Sequence, residues 1–177
     1  AVPRMPRWSS CSRPRPQPKL GMRRTLARSL SPRRRAPSGD PRDIDRLNKN
    51  FPPFMSLLGG RVVDAHPETG ELTMTFKVGE DLCHSGDIVQ GGFITAMLDA
   101  AMSHAVFAYD DTVGNLASLE ISTRYLEITR AGTLRAVGRI VRLSHKTAFL
   151  DGQLFNEEGR LLATTQSVAK VVRKRDT

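Results

Sequence analysis

The pattern of apolar and polar positions after residue 50 predicts one long helix and six strands. Residues 88–109 form a long apolar segment rich in alanine, a composition that favours an α-helix over a strand. Shorter runs with strand-like patterning surround this segment and are separated by turn residues. The predicted strands are 59–65, 71–78, 116–127, 132–143, 147–156 and 161–172.

The strands that follow the long helix predict an antiparallel sheet with one dry face. Across residues 119–125 the odd-numbered positions alternate with Glu120, Ser122 and Arg124, which is a period of two. Since no helical segment separates these four strands, neighbouring strands are expected to pair antiparallel. Three shorter features complete the prediction: a polar helix over 43–50, an apolar patch over 54–58 and a loop over 79–89.

The element order predicts an α+β fold, in which a curved antiparallel sheet of about six strands wraps a long central helix. A membrane span is the alternative for residues 88–109, but Gln90, Asp99 and His104 interrupt the apolar run. A central Asp alone costs about 2.5–3.5 kcal/mol on insertion scales. The segment is therefore predicted to be a buried core helix, and no membrane partner is expected.

Charge divides the chain into a basic extension and a nearly neutral domain. The 177 residues carry a net charge of +9, yet residues 1–39 hold 11 of the 27 Lys and Arg and no acid. The remainder has 16 basic and 18 acidic residues, which argues against nucleic acid as a partner of the folded domain. We predict a disordered extension over 1–42 and one domain over 43–175.

Three interpretations of the basic extension stay open. It has the Arg- and Ser-rich, acid-poor composition of an organelle transit peptide, which would place the protein in mitochondria. It could instead be a polybasic arm for nucleic acid or anionic lipid, or sequence translated upstream of the true start at Met22 or Met55. Without a transit peptide, a cytoplasmic location is expected.

Asp99 is the first candidate for chemistry. It is the only Asp, Glu, Lys or Arg within residues 88–109, so no charged helix face surrounds it. A carboxylate retained in an apolar helix is typical of a general base or a nucleophile. The alternative is an interface Asp that bonds a backbone amide.

The glycine pair Gly91–Gly92 is the second candidate. The free N–H groups of a helix start can polarise a carbonyl or stabilise an oxyanion. Eight residues separate Gly91 from Asp99, about 12 Å along a helix, so one helix cannot bring both to the same carbonyl carbon. If they cooperate, a second copy of the chain must supply one of them, which predicts a homodimer.

The stretch 84–101, His-Ser-Gly-Asp-Ile-Val-Gln-Gly-Gly-Phe-Ile-Thr-Ala-Met-Leu-Asp-Ala-Ala, resembles the signature of hotdog-fold acyl-CoA thioesterases of the phenylacetate-degradation type. The resemblance covers roughly residues 57–172. It implies a hotdog fold, a homodimer that assembles to a homotetramer, and hydrolysis of acyl-CoA thioesters. Asp99 matches the catalytic carboxylate and Gly91 the backbone donor from the other subunit. Ser103 and Ser118 match positions that orient water or the carboxylate.

The sequence departs from the family pattern at two positions. Many relatives have His before the glycine pair, where this chain has Gln90, and many have Asn at the position of His84. Gln90 could still donate a hydrogen bond to a carbonyl, and His84 could donate or shift the pH optimum. Both are kept as catalytic candidates.

The remaining candidates concern binding rather than the reaction itself. Gly92 and Phe93 are expected at the substrate, with Met97 as a further pocket wall, and Lys146 and Arg124 could meet CoA phosphates. No metal site and no cofactor besides the CoA of the substrate are predicted, since the two cysteines, Cys11 and Cys83, form no CxxC pair. A Cys83–His84 nucleophile is disfavoured because adjacent residues in extended chain point apart.

Two alternatives to a thioesterase remain. One is a non-catalytic acyl-CoA- or lipid-binding hotdog protein, for instance a regulator whose basic extension contacts DNA; the changes at His84 and Gln90 favour it, and Asp99 favours the enzyme. The other is a hydratase or dehydratase, which would need an Asp and His pair at the start of the helix that the sequence lacks. His104 is interpreted as a core or interface histidine.

Overall fold

A 19-residue helix lies against a six-stranded antiparallel sheet in the computed structural model, which describes residues 41–49 and 51–174. This is the predicted α+β architecture, and the predicted central helix and sheet are confirmed. In chain order the elements are α1 (Pro41–Lys49), α2 (Phe54–Leu57), β1 (Gly60–His66), β2 (Glu71–Val78), a 3-10 turn (Glu80–Leu82), β3 (Cys83–Ser85), β4 (Ile88–Val89), α3 (Gly91–Tyr109), β5 (Val113–Tyr125), β6 (Gly132–Leu143), β7 (Thr147–Phe155) and β8 (Leu161–Arg173).

Several predicted boundaries differ from the observed ones at the start of the chain and of α3. The predicted extension 1–42 lies outside the described residues except for 41 and 42, which begin α1, so its boundary stays a prediction. The segment 79–89, predicted as a loop, contains a 3-10 turn and the two-stranded sheet of β3 and β4. Residues 88 and 89 therefore belong to a strand, and α3 begins three residues later than predicted.

The sheet order is β1-β2-β6-β7-β8-β5, and every neighbouring pair is antiparallel. The expectation that each strand pairs with the next in sequence is wrong for β5, which pairs with β8 at the sheet edge rather than with β6. Strand β6 pairs instead with β2. After α3 the chain forms β5 at the far edge of the sheet. It then returns to β2 with β6, and β7 and β8 fill the gap between β6 and β5.

Two glycines allow α3 to approach the sheet closely. Gly138 on β6 and Gly152 on β7 are cross-strand partners in the middle of the sheet. A Cβ at Gly138 would overlap the Ala101 carbonyl of α3 and lie 2.5 Å from the Met102 nitrogen. The helix backbone therefore rests on a sheet surface without side chains, while the face of α3 that carries Asp99 and Ser103 is half-buried. The fully buried side chains along α3 include Met97, Leu98, Ala101, Met102 and Val106.

The two edges of the six-stranded sheet differ. Asn48 of α1 covers the β1 edge, because its side chain donates to the Val62 carbonyl (3.0 Å) and accepts from the Val62 N–H (2.9 Å). At the other edge, β5 pairs only with β8 among the residues described. Its side chain Leu119 is 66% exposed. One edge is thus closed by the chain itself, and the other is open to a further strand.

Helix α3 is long and apolar enough to cross a membrane when length and composition alone are considered. More than half of its most apolar window is buried inside the fold, where it packs mainly against β6, β2 and β7. Burial against the sheet accounts for the apolar character of nearly every helix face, as the sequence predicted.

Candidate functional site

Asp99 lies in the middle of α3, where its carboxylate is half-buried and bonded to a serine. The Ser118 hydroxyl on β5 donates a hydrogen bond to Asp99 Oδ1 at 2.9 Å. Burial raises the pKa of Asp99 above its usual value, and the Ser118 bond lowers that pKa only in part. The carboxylate therefore accepts a proton more readily than a solvated Asp would.

A β-bulge turns Ser118 towards the helix. The pairing of β5 with β8 shifts between Ser118 and Glu120, so Leu119 has no direct partner in the ladder. On the far side of the bulge, Thr123 also meets α3, through a hydrogen bond to Thr95. Residues an odd number apart face the same side only across such an insertion. Strict alternation predicted Leu119 on the dry face, and that expectation is wrong.

Gln90 caps the start of α3, and its expected role as a donor to the substrate stays a prediction. Its side-chain Oε1 accepts from the Gly92 N–H at 2.5 Å; only the amide oxygen can accept here, which leaves the Gln90 NH₂ group outside the cap. Within the part of the chain that the structure describes, the Gly91 N–H meets no acceptor. Gly91 is thus the free donor of the glycine pair, and the Gly92 N–H is occupied.

A hydroxyl cluster that the sequence analysis missed surrounds the same helix start. The Tyr125 hydroxyl at the end of β5 donates to the Gly91 carbonyl at 2.9 Å and lies 2.8 Å from Thr95 Oγ1. Thr95 also bonds Thr123 of β5 at 3.0 Å. The signal was present in the alternating run, where two hydroxyl side chains occupy the positions that face α3.

A shallow cleft of about 510 Å³ lies beside Gly91. Its walls combine aliphatic side chains with the polar groups of His84, Tyr125 and Glu127. His84 is exposed and its Nδ1 lies 2.8 Å from Ser85 Oγ. Thr129, which also lines the cleft, is 2% exposed, and its hydroxyl lacks a partner among the residues described. The apolar lining residues are Ile88, Val89, Ile94, Leu126 and Ile128.

The structure keeps the two predicted halves of the site apart within one chain. His84 and Gly91 share the cleft at the start of α3, while Asp99 and Ser118 meet two turns further along and do not line it. The helix rise puts about 12 Å between Gly91 and Asp99. One chain therefore holds two incomplete halves, as the spacing in the sequence predicted.

The other predicted site residues are scattered. Ser103 is half-buried one turn after Asp99 and forms no side-chain bond to it. Phe93 packs against the core, and Met97, predicted as a pocket wall, is wholly buried in the core of the single chain.

Lys146 and Arg124, the two predicted phosphate contacts, are both exposed and lie far from each other. Lys146 stands just before β7, near the end of the sheet where Ser118 lies. Arg124 pairs with Thr164 near the opposite end. Six residues of β5 separate Arg124 from Ser118, about 20 Å in a strand. The two cations therefore do not face one phosphate group within a single chain.

His104 and Cys83 do not form part of either half. His104 is buried between the rings of Phe51 and Phe107, and its Nδ1 donates to the Ala100 carbonyl at 2.7 Å. Burial lowers its pKa, so the ring stays neutral. Cys83 Sγ contacts the Gly79 carbonyl rather than His84, and burial raises the pKa of this thiol. Within the described residues, no three His, Cys, Asp or Glu side chains cluster to hold a metal.

Comparison with known proteins shows what the domain is similar to. Residues 86–163, which contain Gly91, Asp99 and Ser118, match the family model described as the thioesterase superfamily. Over these residues the chain resembles a thioesterase-superfamily domain. This domain has the hotdog fold, since a central helix on a six-stranded antiparallel sheet matches the solved thioesterase neighbours. The resemblance stated from the sequence is thereby confirmed.

Solved structures extend the thioesterase-superfamily match over most of the chain. A phenylacetic acid degradation-related protein of Ralstonia eutropha JMP134 is 25% identical, with a TM-score of 0.67 over 72% of this chain and 98% of that one. A single-residue variant of the phenylacetic acid degradation protein PaaI of Thermus thermophilus is 27% identical, with a TM-score of 0.60 over 68% and 100%.

A more distant neighbour shares the fold. The PaaI protein of Escherichia coli is 16% identical, with a TM-score of 0.64 over 77% of this chain and 95% of that one. Among curated proteins, none matches the chain. Taken together, the comparisons support thioester hydrolysis as the general activity.

Proposed function

We propose that this protein hydrolyses acyl-CoA thioesters to the free acid and CoA at a site formed by two copies of the chain. The observation that carries the proposal is the pair of incomplete halves on one helix. A half-buried carboxylate, Asp99, has its own orienting hydroxyl, and the Gly91 N–H is a free donor beside an apolar cleft. Each half lacks what the other provides.

The open edge of the sheet supports a homodimer. Strand β5 is 13 residues long, its outer edge pairs with nothing in the described chain, and Asn48 closes the opposite edge. A long exposed edge strand is a ready template for a second strand. Two copies joined along β5 would bring Asp99 and Ser118 of one chain towards Gly91 of the other. A tetramer of two such dimers is the assembly we propose.

In the proposed reaction Asp99 acts on the thioester carbonyl carbon, and two routes remain open. As a general base, Asp99 takes a proton from water while the water oxygen attacks the carbon. As a nucleophile, its own oxygen attacks and forms an anhydride that water then hydrolyses. In both routes the carbonyl oxygen becomes an oxyanion that the Gly91 N–H stabilises, the C–S bond breaks, and CoA leaves as the thiolate.

The cleft supports an apolar acyl group as the part of the substrate that enters beside Gly91. Five aliphatic side chains line it, and its aromatic wall is Tyr125. Two of the similar proteins are named for phenylacetic acid degradation, so aryl-acetyl thioesters belong among the first substrates to test. Neither Lys146 nor Arg124 has a partner that excludes it from the CoA phosphates, and each stays a candidate.

A free-thiol release assay on the full chain tests the proposal. The panel would contain short, medium, long and aryl acyl-CoAs, with Asp99→Asn beside the wild type and Asp111→Asn as the matched control, because Asp111 is an exposed carboxylate just beyond α3. We expect Asp99→Asn to lose at least about 100-fold in kcat, and Asp111→Asn to keep wild-type rates. Equal hydrolysis by Asp99→Asn and wild type would refute the role of Asp99.

A non-catalytic acyl-CoA- or lipid-binding protein is the second candidate. The observation that favours it is the cleft beside Gly91, which an acyl group could enter without meeting Asp99, because Asp99 does not line it. This candidate predicts no turnover of any thioester in the panel, together with a melting temperature that rises when acyl-CoA is added. The location of the protein remains a proposal, cytoplasmic or, if residues 1–42 act as a transit peptide, mitochondrial.

A further inference from the structure

We propose that Tyr125 is a positioning residue which, together with Gln90, fixes the Gly91–Gly92 peptide so that the Gly91 N–H points at the thioester oxygen. The inference rests on the proposed function and assigns a role to a side chain outside the glycine and aspartate motif. It starts from the position of Tyr125, whose hydroxyl lies 2.9 Å from the Gly91 carbonyl oxygen.

The Gly91–Gly92 peptide is held at both of its polar ends. Tyr125 donates to its carbonyl oxygen, and Gln90 Oε1 accepts from its N–H, which belongs to Gly92. A peptide unit is planar, so two bonds on opposite sides fix its rotation about the helix start. Gly91 itself has no side chain to restrict it, and these two contacts replace that restriction. The Gly91 N–H belongs to the preceding peptide, whose Gln90 carbonyl accepts from the Phe93 N–H at 3.0 Å. With both peptides held, the Gly91 N–H is oriented and still free to donate.

The ring of Tyr125 also closes the space above Gly91. A Cβ built at Gly91 would lie 3.1 Å from both Cζ and the hydroxyl oxygen of Tyr125. This is tighter than an ordinary van der Waals contact, so the tyrosine and any side chain at position 91 compete for one place. Gly91 and Tyr125 are therefore complementary in shape as well as in hydrogen bonding.

A directed chain of hydroxyls makes Tyr125 a donor at the start of α3. Thr165 donates to the Ser122 carbonyl, which can only accept, so the contact between Thr123 and Thr165 takes its proton from Thr123. Thr95 in turn donates to Thr123. With that hydrogen committed, Thr95 is an acceptor towards Tyr125, whose single proton is shared between Thr95 Oγ1 and the Gly91 carbonyl.

This chain of hydroxyls ties the helix start to two strands. Thr95 belongs to α3, Thr123 and Tyr125 to β5, and Thr165 to β8, and the three threonines are partly or wholly buried. A displacement of about 1 Å at a reacting group can cost about 100-fold in rate. The function of the hydroxyl chain would be to keep the Gly91 donor within that tolerance.

The test compares Tyr125→Phe with Tyr109→Phe in the full chain, since these are the two tyrosines of the sequence. Tyr109 lies at the opposite end of α3. The measurements are kcat and KM for the acyl-CoA that the wild type hydrolyses, the exchange rate of the Gly92 amide proton by NMR, and the melting temperature. For Tyr125→Phe we expect kcat to fall about tenfold, KM to stay within about twofold, and Gly92 exchange to rise about tenfold.

Each outcome decides the proposal. Unchanged kcat and Gly92 exchange in Tyr125→Phe would overturn it, as would equal effects in Tyr109→Phe. A rise in KM larger than the fall in kcat would replace positioning by direct substrate contact. If the wild type hydrolyses no thioester, the proposed function fails; faster Gly92 exchange in Tyr125→Phe alone would then still support the hold on the peptide, and unchanged exchange would refute it.

Discussion

At the scale of single residues, the site depends on the environment of the Asp99 carboxylate. Asp99 lies on an apolar helix, and burial raises its pKa because the charged form is less favourable there than in water. The Ser118 hydroxyl offsets part of that cost. The same environment that makes Asp99 a better proton acceptor thus lowers the stability of the folded protein.

Because the buried charge lowers stability, we predict that Asp99→Asn stabilises the protein at neutral pH. The pKa of Asp99 is raised in the folded chain, so between the unfolded and folded pKa values the folded state binds more protons. Stability therefore falls as pH rises through that interval, and the penalty is complete once the pH exceeds the folded pKa. We expect a higher melting temperature for the variant at pH 7, and a difference that vanishes below about pH 3.9, where both forms are neutral. A melting temperature equal to or lower than wild type at pH 7 would contradict it.

Removal of the serine hydroxyl should change the pH dependence of the reaction. Without the Ser118 bond, which lowers the pKa of Asp99, that pKa rises further. For Ser118→Ala we expect the acid limb of the pH–rate profile to move to higher pH and the plateau kcat to fall about 10- to 100-fold. Ser122→Ala, an exposed serine on the same strand, is the control. An unmoved acid limb would show that Ser118 does not act on Asp99.

At the scale of secondary-structure elements, the position of α3 depends on the sheet surface beneath it. The cross-strand glycines Gly138 and Gly152 let the helix backbone touch the sheet, which sets the depth of Asp99 and of the Gly91 end. On the neighbouring β5, one inserted residue turns Ser118 inward. The glycine pair and the bulge are both local irregularities of the strands, and both position the functional groups of α3.

The close contact between α3 and β6 can be tested by adding a methyl group at Gly138. In Gly138→Ala the new Cβ meets the backbone of Ala101 and Met102, which cannot move aside as a flexible side chain would. We expect a loss of about 1–3 kcal/mol in the free energy of unfolding, measured by denaturant titration. Gly114→Ala is the control: its Cβ would meet the flexible Lys174 side chain at 3.1 Å, and we expect a change below about 1 kcal/mol. Equal stability of both variants would contradict the close packing.

At the scale of the whole molecule, the proposed function requires a second copy of the chain. One protomer separates Gly91 from Asp99 by more than two helical turns, and its β5 edge is open while its β1 edge is capped. The proposed dimer would close the edge and complete the site together. Assembly and activity should therefore be lost in parallel.

Leu119→Lys tests this coupling. Leu119 is exposed on the open edge, and a lysine there opposes edge-to-edge pairing. We expect sedimentation to show a monomer and thioester hydrolysis to fall at least about tenfold, because a buried unpaired charge costs several kcal/mol. Val63→Lys, on the opposite edge strand and also exposed, should keep the assembly and rate of the wild type. A fully active monomer would refute the shared site.

The main elements and the main chemical groups could be predicted from the sequence. Composition and period predicted α3 and six strands, because these signals are local: an Ala-rich apolar run, alternation and turn residues. Asp99 was found as the one charge on the long helix, and the glycine pair marked its start. The eight-residue step between them already predicted a site split between two chains, since the rise of a helix is fixed.

The orientation of these groups follows from the folded structure and could not be predicted from the sequence. Strand order and register depend on hydrogen bonds between distant residues, so the sequence did not predict β5 at the far edge or the bulge that turns Ser118 towards Asp99 and leaves Leu119 exposed. The cap by Gln90 and the contact of Tyr125 with Gly91 likewise depend on three-dimensional proximity across as many as 34 positions of the chain. The local sequence pattern specifies the functional groups and the elements that carry them. Packing between residues distant in sequence specifies which of these groups come into contact.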